Sequence, residues 1–271
     1  MPPVLQSRLP VAPWMAPHTM RLPGTVPIAP QEWLLRDEVF GQHMALRDQL
    51  IAERPEAVHA MEPGCAPAAE ELLAVILARL QGDDGYRREG DALVRPDGVR
   101  VGLGGPALVV AGRLVQEDLL VLARPEGAGE HRLTGGILCF PSNWTLREKL
   151  GTGLARIHAP IGEYDEGIAR RVQRLFDGLR PEAPLCRANL LIYGTSELFN
   201  PRREGDRHKP GPGEGRFVRV ERQCLVKLPA SQAVVFSIHT YLVRAEALTA
   251  AQRAALIALR PDALADPLPE D

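Results

Sequence analysis

RFVRVERQCLVKL at residues 216–228, PASQ at 229–232 and AVVFSIHTYLV at 233–243 decide the fold. Both long segments are rich in β-branched and apolar residues, and the four-residue link leaves room only for a reversal. They read as an antiparallel pair. If the first strand alternates strictly, Val218, Val220, Arg222, Cys224, Val226 and Leu228 share one face. Working outward, residues 187–193 read as a third long strand. Short apolar runs at 99–103, 107–110, 119–123 and 133–140, divided by turn residues, read as four more. Helical spacing of Trp33, Leu34, Phe40, Met44 and Leu50 predicts a helix over 31–54 that Pro55 stops. A second helix, over 67–82, is opened by Pro67. Thr145 and Glu148 form a capping-box pattern before a short helix stopped by Gly151. After Asp165 as cap, Ile168, Val172, Leu175, Phe176 and Leu179 line one face of a helix that ends at Pro181. A last helix is expected over 246–260. Strands run in series with helices flanking them, which indicates α+β with a largely antiparallel sheet.

The whole chain, 271 residues with 45% hydrophobic and 24% charged residues, suits one large globular domain. A net charge of −2 offers no excess of cations to a phosphate backbone or an anionic lipid surface, so neither nucleic acid nor membrane is an expected partner. No apolar run approaches the roughly 20 residues of a membrane helix, and the N-terminus lacks the apolar core of a secretory signal, so a cytoplasmic protein is expected. Eight of 25 prolines fall in the first 30 residues. Residues 1–30 therefore read as an irregular arm lying on the surface or on a partner, and 31–271 as a single α+β domain. The stretch 200–215 reads as a mobile loop. Cys65, Cys139, Cys186 and Cys224 are too far apart for a zinc or cluster motif and read as small buried hydrophobes.

Several residues could carry chemistry. Gly102-Leu103-Gly104-Gly105-Pro106-Ala107 fits Gly-x-Gly-x-x-Ala, but with a strand expected at 107–110 it reads as a strand-to-strand turn rather than a dinucleotide site. Arg222, in an apolar row, needs a carboxylate or phosphate beside it: either a structural partner such as Glu62, Glu117 or Asp118, or an anionic ligand. Arg187 raises the same question, and together the two could clamp a ligand with two carboxylates. His158, in Ile157-His158-Ala159-Pro160, is held on a loop whose backbone Pro160 restricts, and His239 on an inner strand is the competing histidine. A lone axial histidine suffices only for a cofactor that brings its other ligands, as haem does.

These residues, in order, resemble the haem-binding subunit of the heme-dependent oxidative N-demethylases. The resemblance runs from about 115 to 243 and rests on Gln116-Glu117-Asp118-Leu119, Phe140-Pro141-Ser142-Asn143-Trp144, Glu148-Lys149-Leu150-Gly151, Ile157-His158-Ala159-Pro160, Arg187-Ala188-Asn189, Glu221-Arg222-Gln223 and Thr240-Tyr241-Leu242. It implies a PAS-like antiparallel sheet holding haem b, with His158 as the iron ligand and Arg187 and Arg222 at the propionates. The implied activity is O2-dependent oxidation of a small secondary amine to an imine that hydrolyses to a primary amine and formaldehyde. Glu117, Asp118 or Tyr164 would orient the amine. Electrons would come from a separate reductase carrying NADPH, flavin and an iron–sulfur cluster. The family pattern has a further proline where this chain reads Pro160-Ile161-Gly162, Trp at Leu190 and Arg at His239, so His239 would replace a propionate arginine or itself meet the iron. The rival reading is a PAS-like haem module that senses or stores without turnover; a third is an α+β binding domain without haem.

Overall fold

The computed structural model describes residues 2–16, 23–158, 166–204, 206, 216–261 and 264. The decisive stretch forms β9 (Phe217–Lys227) and β10 (Val234–Arg244), paired antiparallel through eleven residue pairs from Val234↔Lys227 to Arg244↔Phe217. The link turns through Gln232 in the left-handed region, and Glu71 accepts the amide N–H groups of Ala230 and Ser231, which ties the turn to a helix. β8 (Leu185–Tyr193) pairs with the other edge of β9. On the far side, β10 pairs with β6 (Asp118–Ala123), then β7 (Arg132–Ile137) and β2 (His59–Met61), while β1 (Val26–Pro27) pairs with the start of β8. All neighbours are antiparallel, giving the order β1-β8-β9-β10-β6-β7-β2. A small second sheet joins β3 (Arg87–Glu89), β4 (Ala92–Val94) and β5 (Arg100–Gly102). The molecule is α+β, as expected from the serial strands.

The helices are α1 (Phe40–Glu53), α2 (Pro55–Val58), α3 (Ala66–Leu80), α4 (Ala107–Gly112), α5 (Leu146–Lys149), α6 (Leu154–His158), α7 (Glu166–Gly178) and α8 (Ala250–Leu259). Helix α3 sets Leu72 and Ile76 against the sheet face that carries Cys224, Val226 and Val235, which we call the back. Toward the other end of the same face, Leu9 and Trp14 pack with Ala188, Leu190, Val218 and Tyr241, and Leu256 of α8 joins them. Residues 2–16 are thus laid along the sheet, and Gln6 exchanges hydrogen bonds with the Leu242 backbone. On the opposite, front face, Phe176 and Leu179 cover Leu120, Leu122, Leu225 and Val234. The described helices include none long and apolar enough to cross a membrane.

Four segments differ from what their sequence suggests. Residues 107–110 form the start of α4 rather than a strand, because a short apolar run carries no period of its own and Leu108, Val110 and Ala111 are all buried in the core. A helix does open after the Gly-rich turn, but it follows a three-residue strand of an antiparallel hairpin, not the parallel strand of a dinucleotide unit. The first long helix begins at Phe40, not near residue 31. After a single 3-10 turn at Pro30–Glu32 the backbone bonds to distant groups instead of continuing a helix: Leu35 N–H to Glu117, Asp37 N–H to Gln116, and the Glu32 and Trp33 carbonyls to Arg222. The strand over 133–140 stops at Ile137, since the amides of Cys139 and Phe140 turn to the Asp118 carboxylate. At Thr145 the hydroxyl donates to the Glu148 carboxylate at 2.6 Å, so the two side chains pair with each other instead of capping the backbone.

Candidate functional site

Register decides which side chains can meet. Arg187 lies opposite Gln223, and Ala188 opposite Arg222. Neighbours along a strand point to opposite faces, so Arg187 and Gln223 share the front while Arg222 and Cys224 share the back. Opposite Arg222 on β10 is His239, which places it on the back as well; opposite Gln223 is Ile238, on the front. The structure therefore does not bring Arg187 together with Arg222 or His239.

Arg222 and His239, on the back face, are both held by protein groups. Arg222 donates to the carbonyls of Trp33 at 3.0 Å and Glu32 at 2.5 Å, while Trp33 donates its indole N–H to Ser237. The carboxylates considered as its partners serve elsewhere: Glu62 pairs with Arg132, Glu117 with His239, Asp118 with Arg47. Arg222 fastens the 30–35 segment to the sheet. His239 is completely buried, with Nδ1 3.0 Å from Glu117 and Nε2 3.4 Å from Asp37. Burial disfavours the imidazolium, but the hydrogen bonds to Asp37 and Glu117 outweigh it and lift the pKa to about 9. Each ring nitrogen faces a carboxylate of the protein. Asp37 in turn accepts from Gln6 and Gln116, and Gln116 touches Nδ1 of His43, so one network joins the N-terminal segment, α1, β10 and the two residues that lead into β6. Asp118 accepts from Arg47 at 2.7 Å and from the amides of Cys139 and Phe140.

The front face is different. Leu185, Arg187, Asn189, Leu191, Gln223 and Phe236 are only half-buried, leaving a stretch of sheet beside α7 partly open. Glu221 is buried at its centre. Arg219 donates to Glu221 Oε1 through Nε at 3.1 Å and Nη2 at 3.0 Å, while Asn189 and Gln223 donate to Oε2 at 2.9 and 3.2 Å. Gln223 Oε1 accepts from Arg187 Nη1 at 3.3 Å. The Arg187 Nε is buried with no hydrogen-bond partner among the described residues, and burial lowers the pKa of this guanidinium. At one end Tyr193 hydroxyl meets Ser142 and Asn143. Ile157 packs against the front-face cluster that also takes in Leu185 and Phe236, and His158 is the last residue of α6, so it ends a helix rather than sitting on a loop. Tyr164 lies outside the described residues.

Sequence reading singled out Arg222 from Glu221-Arg222-Gln223, but the flanking pair points to the open face. The signal was parity: once Arg187 is registered against Gln223, the odd-numbered residues of β9 belong with it. Arg219, completely buried and paired with Glu221, was missed because alternation puts it in the row with Glu221, Gln223 and Lys227, which reads as a solvated face.

The open face fits a flat apolar group with an anionic edge. Leu185 and Phe236 supply partly exposed apolar surface over the buried Ile238, and Arg187 a cation whose buried Nε is unmatched. A porphyrin has that shape and charge and asks the protein for a single axial donor. The family model described as haem-dependent oxidative N-demethylase, alpha subunit-like, matches residues 24–261, from β1 through α8, so the chain belongs to that family.

Proposed function

We propose that the chain is a cytoplasmic haem-b oxidoreductase subunit of the N-demethylase type with a PAS-like haem site on the front of its sheet. His158 would be the axial ligand, on the turn that Ile157 seats against the apolar cluster. Arg187 would hold a propionate, and Leu185, Phe236 and Ile238 would exclude water from the face of the macrocycle. Bound haem would supply oxygen activation. Arg222, His239, Glu117 and Asp118 serve the frame, because each is already paired on the back face or at the strand ends.

The proposed reaction converts a small secondary amine to an imine, which hydrolyses to a primary amine and formaldehyde. Amine oxidation yields two electrons, and reduction of O2 to two waters needs four. The other two come from a separate reductase carrying NADPH, flavin and an iron–sulfur cluster. The observation that carries this reading is the half-buried Arg187, whose Nε is buried without a partner, on a partly open face in a chain of this family.

The test uses haem-loaded protein with a panel of methylated secondary amines and a chemical reductant under air. A substrate amine is expected to shift the Soret band and to release one formaldehyde per amine consumed. Tight binding of O2 or CO, with neither an amine-induced shift nor formaldehyde, would sink the enzyme reading in favour of a sensor.

A further inference from the structure

Glu221 has a definite task in the front-face cluster. A glutamine amide has two chemically different ends, and what bonds one end decides what the other presents. Gln223 gives Nε2 to Glu221 Oε2, which leaves Oε1 as the atom facing Arg187 Nη1. Asn189 is fixed twice over: Nδ2 donates to Glu221 Oε2 while Oδ1 accepts the Glu221 N–H. Arg219, which also holds the carbonyls of Leu198 and Phe140, pins the other carboxylate oxygen. Arg219 and Arg187 against Glu221 leave one positive charge on a poorly solvated face, and a single ligand carboxylate cancels it.

We propose that Glu221 is a positioning residue that acts through Gln223, setting the amide so that Arg187 presents its free N–H groups to a ligand carboxylate. This inference rests on the haem reading, in which that carboxylate is a propionate. A neutral amide at 221 can offer a donor to Gln223, flip it, and turn an N–H group toward Arg187 in place of an oxygen.

The experiment titrates full-length apoprotein with haem and with haem dimethyl ester, whose propionates carry no charge, following the Soret band. Wild type is expected to bind haem about tenfold or more tighter than the ester, the order expected of one charge-assisted hydrogen bond. Arg187→Leu and Gln223→Leu are each expected to lose most of that preference while binding the ester as wild type does; Glu221→Gln adds one positive charge to the face, and is expected to lose the preference nonetheless because the flipped Gln223 amide turns a donor toward Arg187. Gln223→Leu keeps the Arg219–Glu221 pair, so it remains informative if Glu221→Gln does not fold. In the Arg187→Leu background, Gln223→Leu is expected to change haem affinity by less than about twofold, because Gln223 acts only through Arg187. Losses that add in the double variant, or that fall equally on haem and ester, would overturn the proposal. A wild type that binds haem and ester alike overturns it while leaving the haem reading intact; one that binds neither overturns both.

Discussion

His239 shows how much a single side chain is asked to do on the back of the sheet. Its pKa stands near 9 against an ordinary value near 6.5, because Asp37 and Glu117 outweigh the cost of burying it as a cation. A raised pKa contributes stability that is complete below about pH 6.5 and lost as the pH climbs through 9, on the order of 3 kcal/mol for a group this buried. His43 runs the other way: burial pushes it down to about 3, so its contribution is present above pH 6.5 and fades as the pH falls. Stability is therefore expected to peak near neutral pH. His239→Gln should lower Tm at pH 6.5 and flatten the decline between pH 6.5 and 9; an unchanged alkaline decline in the variant would show that another group causes it. None of this was readable from the sequence. His239 stood out there as an inner-strand histidine, but its partner Asp37 lies 202 residues away in a segment that read as helix.

At the scale of elements, what could be read depended on period. The long strands β8, β9 and β10 and helices α3 and α7 were legible because each repeats its pattern over nine or more residues. Helix α4 was not, since six residues of unbroken apolar sequence fit a buried strand equally well. Its placement rests on Gly112, where an added Cβ would come within 2.6 Å of Ile137 Cγ1. Ile137 is completely buried on β7 and has little room to withdraw. Gly112→Ala is expected to cost about 1–3 kcal/mol by overpacking. Gly178→Ala, at the end of α7 with nothing within 4 Å, should stay within about 0.5 kcal/mol of wild type. Urea denaturation of the two variants checks this, and equal stabilities would mean that α4 does not pack as closely on β7 as the structure has it.

For the whole molecule, the sheet acts as a partition. Its back is closed by α3, α4, α8 and the N-terminal segment, and the paired charges there hold distant parts of the chain together. Its front is closed by α7 at one end and left half-open beside Arg187. The residue types of the candidate site were legible, because buried arginine and histidine stand out in apolar strands. Their division between two faces was not, since that depends on pairing β8 with β9 across more than 20 intervening residues. In the proposed arrangement the front carries haem and the back does not. The absorption spectrum of full-length protein expressed with haem, beside His158→Ala and His239→Ala, tests it most directly. The expected result is a stoichiometric Soret band in wild type that His158→Ala weakens or shifts. His239→Ala, if it folds, should keep the wild-type band position. A band altered by His239→Ala and indifferent to His158→Ala would place the iron on the wrong face of the sheet and contradict the account.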